Sequence, residues 1–429
     1  MTVAPNKPAI LTDQDITDIV RAALDGAPDA KRILVLTTDY SRLDFTDRVF
    51  RAIHDRIRAR PGGVIDVLNT AGTHRQMKQA EWVAKLGGEP RSFAALRACY
   101  EHHFDDPDEL IEVGTLPAEF LRVKTAGYVD EPLAITVNKR IAEGYDLVIG
   151  INGTVPHEGT GFSGGQKIIF PGIAGPQVTG AFHWAAVLIG IPNLIGTREN
   201  PARDIVNAAA QAVFDHISPT PVLSFNMVYT SGENDEVVPN GLFGGFGTQG
   251  FNAAHALACK LSAQLHIVYV DHPLDVVVQC IPAAKYDEWW TAMKGSYKLQ
   301  RAGLLNPGAE VILLAPHIHQ FHSNATMDAA IREIGYHGRD HVAEYVRRHP
   351  TFDKNVASHV INARGIGRLV DGLESFDFRL SIASAVSPEQ CAAVGLGYRD
   401  PATIRPEDFT GPGKLWIEHG GQDLYALRS

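Results

Sequence analysis

The chain has 429 residues, with 39 Lys+Arg against 49 Asp+Glu, a formal net charge of −10. At 45% hydrophobic and 21% charged residues it has the composition of a folded globular protein of two or three domains, which excludes disorder, collagen and coiled coil for its bulk. No long Lys/Arg run provides the electrostatic footprint of a nucleic-acid binder. The N-terminus lacks a basic stretch followed by an apolar one, so no signal peptide is expected. The longest apolar run, Ala185 to Gly196, contains Pro192 and is too short for a bilayer, so the expectation is a cytoplasmic protein without a membrane partner. Cys99, Cys259, Cys280 and Cys391 form no C-x-x-C pair, which points to four reduced thiols rather than a disulfide framework.

In chain order, short β-branched runs alternate with amphipathic stretches. Strands are expected at Arg32–Thr38, Val64–Leu68, Leu147–Ile151, Val222–Tyr229, His266–Val270, Val276–Gln279, Val311–Ala315 and Arg379–Ala385. Helices are expected at Asp44–Ala59, Gln76–Leu86 and Pro201–Ile217. The alternation predicts an α/β fold with mostly parallel sheets. The glycine-rich stretch Gly241–Gly250 reads as a linker, and the domain boundary is placed near residue 265. The expected domains are 1–265, carrying the chemistry-bearing histidines, and 266–429.

Ligands of open α/β sheets bind beyond the carboxyl ends of the strands, so the polar residues directly after strands matter most. The first strand is followed by Thr38-Asp39-Tyr40-Ser41-Arg42, the second by Asn69 through Gly72-Thr73-His74-Arg75, and the third by Asn152 through His157. Next comes the most informative segment, Pro156–Gly175, PHEGTGFSGGQKIIFPGIAG. It has neither Walker A nor Rossmann spacing. A glycine-rich loop of this kind exposes amides to an anion, with Lys167 adding a point charge, or it is a plain turn with a solvated lysine. Asp39 taken alone reads equally well as a helix cap.

These residues taken together resemble the nickel-pincer nucleotide-dependent lactate racemase family. The resemblance rests on Asp39-x-x-Arg42, Gly72-Thr73-His74-Arg75, His157…Gly161-Phe162-Ser163-Gly164-Gly165-Gln166-Lys167, Pro171-Gly172-Ile173-Ala174 and His183, and is strongest over residues 31–205. It implies two α/β domains with the active site in the cleft between them. It also implies a nicotinate-derived mononucleotide joined to Lys167 through a thioamide. Two sulfurs and a ring carbon of that group hold nickel, and His183 completes the metal's coordination. By the same resemblance His74 and His157 are the acid/base pair, and Asp39 and Arg42 lie at the substrate end. Ser163, Gly164, Gly165 and Arg75 contact the cofactor, and the cofactor's biosynthetic enzymes are partners. A homo-oligomer is a further expectation.

The chemistry agrees with these residue types. The C–H of a 2-hydroxy acid is a poor acid, so direct proton abstraction is costly. Taking the hydroxyl proton while hydride leaves to an electrophilic ring gives a planar keto acid instead, and hydride returned to either face gives either hand. The hydroxyl can lie on either side, so two bases are needed, and two histidines suit that work. An arginine fork suits the carboxylate.

The second half departs from the family pattern. Trp290 and Lys294 match an aromatic–lysine pair four residues apart, with Trp in place of Tyr, and are taken as substrate-binding; Lys298 after Tyr297 competes with Lys294. His317, His319 and His322 in Pro316–Ser323 read as a second metal site, as contacts to a longer hydroxylated substrate, or as structural histidines. No tryptophan matches the one the family carries late in its second domain, the last here being Trp416, which points away from lactate toward a sugar acid or larger hydroxy acid. The alternatives are a divalent-metal hydrolase or lyase built on the three histidines, and a non-catalytic cofactor carrier.

Overall fold

The computed structural model describes residues 10–428 except 28, 43, 73, 233–235, 284–285, 372 and 422. The chain divides into two compact units. One comprises Met1–Pro156, Phe162–Phe182 and Pro201–Leu265, and the other His157–Gly161, His183–Asn200 and His266–Ser429.

The first unit is built on a six-stranded sheet. Its strands are β1 (Arg32–Thr37), β2 (Val64–Asn69), β3 (Leu96–Tyr100), β4 (Leu147–Gly153), β5 (Val222–Ser231) and β6 (Val237–Phe246). Their spatial order is β6-β5-β4-β1-β2-β3. β1 runs parallel to β2 and β4, β2 to β3 and β4 to β5, while β6 alone runs antiparallel, against β5. Central strands of such a sheet are covered on both faces and so read as continuous apolar runs. Ile33 to Leu36 and Leu147 to Ile149 accordingly lie in the core. The helix Thr46–Arg58 presents Val49, Phe50, Ile53 and Ile57 to this core, a spacing that keeps one apolar stripe over three turns.

The stretch expected to be a linker is not one. Gly241–Phe246 lies in β6, and the helix Gly247–His266 starts directly after it. The glycines there serve close packing: a Cβ on Gly245 would lie 1.9 Å from the Gly250 carbonyl oxygen. Glycine content alone does not distinguish a flexible tether from a tight strand-to-helix corner.

The second unit has a five-stranded, wholly parallel sheet. Its strands are β7 (Leu274–Cys280), β8 (Leu305–Ala315), β9 (Phe378–Ser384), β10 (Gly397–Tyr398) and β11 (Lys414–Ile417), in the order β10-β9-β8-β7-β11. The helices Ala325–Ile334, Arg339–Arg348 and Lys354–Arg364 follow β8 in sequence. Ile267–Val270 pairs in parallel with Leu424–Leu427 near the chain's end. Among the described residues, no helix is long and apolar enough to cross a membrane.

Candidate active site

In the first unit, β4, β1 and β2 are adjacent and parallel, so the segments leaving their carboxyl ends emerge side by side. Asp39 follows β1, His74 follows β2, and the Lys167 loop follows β4. Gly72 N–H donates to the Gly172 carbonyl at 3.0 Å and ties the His74 turn to the chain just past Lys167. Thr73 lies outside the described residues.

Asp39 and His74 form a dyad. The Asp39 carboxylate is buried, accepts His74 Nδ1–H at 2.5 Å, and is gripped on its other oxygen by the Ser41 hydroxyl at 2.6 Å. Burial by itself would raise the Asp39 pKa. The hydrogen bonds from His74 and Ser41, with the charge of His74, outweigh it and hold the carboxyl below its ordinary value. Since a carboxylate only accepts, Nδ1 of the half-exposed His74 ring carries a proton, which leaves Nε2 as the nitrogen at which the ring can exchange one. Asp39, assigned from sequence to the substrate end, thus sits behind the His74 ring.

Arg42 is exposed; its carbonyl accepts from the buried Lys85 ammonium at 2.8 Å, which fixes the backbone beneath it. Arg75 bonds both oxygens of Glu81 at 2.6 and 2.8 Å and lies 3.7 Å over the Tyr40 ring. Its fork is occupied within the protein.

Lys167 lies on a short 3₁₀ turn, Gly165–Ile168, half-buried. The loop leading to it is clamped from several elements. The Ser163 hydroxyl donates to the Gly153 carbonyl at 2.8 Å and accepts Val155 N–H at 3.0 Å. Gly165 N–H donates to Asn226 at 2.8 Å. The Arg203 guanidinium, buried in the helix Pro201–His216, donates to the Phe162 and Gly164 carbonyls. His255, fully buried, meets the Ser163 carbonyl at 2.9 Å. So Ser163 and Gly165, assigned from sequence to the cofactor, spend these groups on the shape of the loop. Arg203 and His255 were not singled out from sequence. Their signal was a charged or polar residue on otherwise small, apolar helices.

Gly164 has φ +83°, and a Cβ there would come within 2.5 Å of Thr154 Oγ1 and 3.1 Å of Asn152 Oδ1. Both oxygens are buried and have no hydrogen-bond partner among the described residues. A lysine on a rigid turn, beside a glycine-lined recess with two unpaired oxygens, fits a polar group attached at Lys167.

In the second unit, the His157 ring accepts Gly159 N–H at Nδ1, 3.0 Å away. Its neighbour Glu158 is partly buried, and burial alone would raise its pKa. The charges of His157, Lys294 and Lys298 prevail and hold the carboxyl well below its ordinary value. Glu158 was missed from sequence, yet His157, Lys294 and Lys298 all bear on it. His183 is half-buried on the helix Pro176–Ile189.

Trp290 and Lys294 lie on two consecutive single-turn helices, Trp289–Ala292 and Lys294–Tyr297, beyond the carboxyl end of β7. Trp290 stacks on His359 at 4.3 Å, with His322 at 5.0 Å on its ring. Burial, aided by the His322 charge, pushes His359 down to about 3, so it is neutral near pH 7. Lys294 is exposed and Lys298 half-buried. His317 bonds the Tyr286 carbonyl at 2.9 Å, and His322 lies 3.7 Å from Glu288. Among the described residues, His317, His319 and His322 do not group as possible metal ligands, so of the three readings the second metal site finds no support.

A family profile described as the lactate racemase N-terminal domain matches residues 20–190. The lactate racemase of Thermoanaerobacterium thermosaccharolyticum is 28% identical over 212 residues, 46% of this chain and 45% of that protein's length. The match thus spans less than half of the curated relative. A crystal structure of a Thermotoga maritima protein matches with TM-score 0.84 and 46% identity, covering 99% of this chain and all of that one. The lactate racemase apoprotein from T. thermosaccharolyticum matches with TM-score 0.70 over 96% and 93% of the two chains, at 19% identity, a likeness of fold. The segment that includes the Asp39–His74 dyad and the Lys167 loop is thus similar to the lactate racemase N-terminal domain.

Proposed function

We propose that the protein is a racemase or epimerase of a 2-hydroxy acid other than lactate, working with a nickel-pincer nucleotide tethered to Lys167. The observation that carries this reading is the Asp39–His74 dyad beside the rigid Lys167 loop at the carboxyl ends of three adjacent parallel strands. The glycine recess with unpaired Asn152 and Thr154 oxygens supports attachment at Lys167. When bound, the group supplies an electrophilic carbon that takes up hydride and returns it. His183 holds its nickel through one imidazole, a donor that suits this metal.

The chain's own residues handle the proton. His74 Nε2, unprotonated in the neutral ring, takes the hydroxyl proton of one enantiomer while Asp39 stabilises the imidazolium. His157 rests in the other tautomer: Nδ1 accepts from Gly159, so Nε2 carries the proton. One ring is therefore set to take a proton and the other to give one, which is what passing through a keto acid to the opposite hand requires. The exposed Arg42 supplies a cationic group for the substrate carboxylate. Trp in place of Tyr at 290 supports a substrate different from lactate.

Peptide mass spectrometry of protein produced together with the cofactor's biosynthetic enzymes tests the reading. Wild type should carry the nucleotide on Lys167, and Lys167→Ala should carry none. His183→Ala should keep the adduct and lose nickel. An adduct mapped to another lysine, or full nickel occupancy in His183→Ala, overturns the assignment.

A further inference from the structure

We propose that His337, His341 and Glu374 form a binding site for a zinc-class divalent cation, separate from the nickel site assigned to His183, which fastens a surface hairpin to the second unit. Among the described residues this is the one group of three or more His, Cys, Asp or Glu side chains whose ligand atoms all lie within 4.8 Å of one another. His337 directly precedes the helix Arg339–Arg348 and His341 lies in its first turn, four residues on. Glu374 comes from the short strand Leu373–Ser375, which pairs with Arg368–Val370.

The Glu374 carboxylate accepts His337 Nδ1–H and Gly338 N–H, both at 2.6 Å. The His337 and His341 rings stack 3.9 Å apart at 10°. Imidazole nitrogens and a carboxylate oxygen are the donors such a cation takes. Two imidazoles and one carboxylate select zinc or a late transition metal over calcium or magnesium, which want oxygen donors. Bonds of about 2.0–2.2 Å would draw the three atoms closer than 4.8 Å.

The hairpin gives the second observation. Val370 is 58% and Leu373 76% exposed, so its large apolar side chains contribute little burial. A two-stranded hairpin is marginal without a packed face. Its polar tie through Glu374 to the start of the helix is therefore the anchor, and a bound cation would strengthen it.

The test uses tag-free, chelator-treated full-length protein produced without the cofactor's biosynthetic enzymes. Zn²⁺ is titrated by calorimetry and Co²⁺ by visible absorption. Wild type should bind one equivalent through these residues, with cobalt d–d bands of a low-coordinate histidine site. His341→Ala and Glu374→Gln should each weaken this binding at least tenfold, with far-UV circular dichroism unchanged, and His183→Ala should retain it. Zn²⁺ should also slow amide exchange in the hairpin of wild type and not of His341→Ala. Equal affinity in wild type and both variants, or no binding, overturns the proposal. So does zinc binding that leaves hairpin exchange untouched.

Discussion

Asp39 concentrates the residue-scale argument. Its carboxylate fixes the His74 tautomer, so Asp39→Asn leaves the shape and removes the charge that stabilises the imidazolium. On the proposed function, turnover of a 2-hydroxy acid should fall by about 10²–10⁴, the range for losing a correctly positioned acid/base. Steady-state kinetics in both directions measure it, and unchanged turnover would show that the dyad has no catalytic part. The same side chain gives a pH effect whose sign is fixed. Its folded pKa lies below the unfolded value of about 3.9. The unfolded chain therefore takes the proton first as pH falls. The stabilisation is complete above about pH 4–5 and is lost as pH drops through the lowered folded value. Wild type should exceed Asp39→Asn in urea midpoint at pH 7, and the gap should shrink in acid. A gap that widens in acid refutes the assigned shift.

Among elements, the Lys167 loop shows what sequence conveys and what it hides. The spacing from His157 through Lys167 to His183 can be read from the sequence because the three lie within one short stretch. The clamp on the loop was not, because Asn226, Arg203 and His255 arrive from β5 and two helices far along the chain. Their one local mark, a polar residue on a helix of small residues, also fits an ordinary surface position. Gly164→Ala should cost about 1–3 kcal/mol, since φ +83° is strained for alanine and its Cβ would press on Thr154. Arg203→Met should remove the guanidinium from the Phe162 and Gly164 carbonyls and loosen the loop. Both variants should show a lower melting temperature and a lower yield of modified Lys167 by intact mass. Full modification with wild-type stability would mean that the loop needs neither.

For the whole molecule, the α/β class and all eight expected strands were legible, because runs such as RILVLT can only be buried parallel strands. β6 was not, because its glycines mask the pattern of a strand, and the smaller pairings leave no periodic signal. The two strips that return to the other unit were also hidden, since compactness depends on long-range contacts. Residues His157–Gly161 and His183–Asn200 belong to the unit formed mainly by His266–Ser429, although they precede it in sequence. A cut at residue 265 therefore does not separate the units. The piece 266–429 would lack two strips of its own unit, and the piece 1–265 would carry them without their packing partners. Ile191, Leu194 and Ile195 in those strips are buried, and their apolar area would be exposed in the larger piece. Each fragment should therefore unfold less cooperatively and at a lower temperature than the full chain, with the larger one binding a hydrophobic dye. Calorimetry on the two fragments and the intact protein measures this. Two fragments with sharp transitions, at temperatures matching those of the full chain, would show that the returning strips add nothing to the second unit's stability.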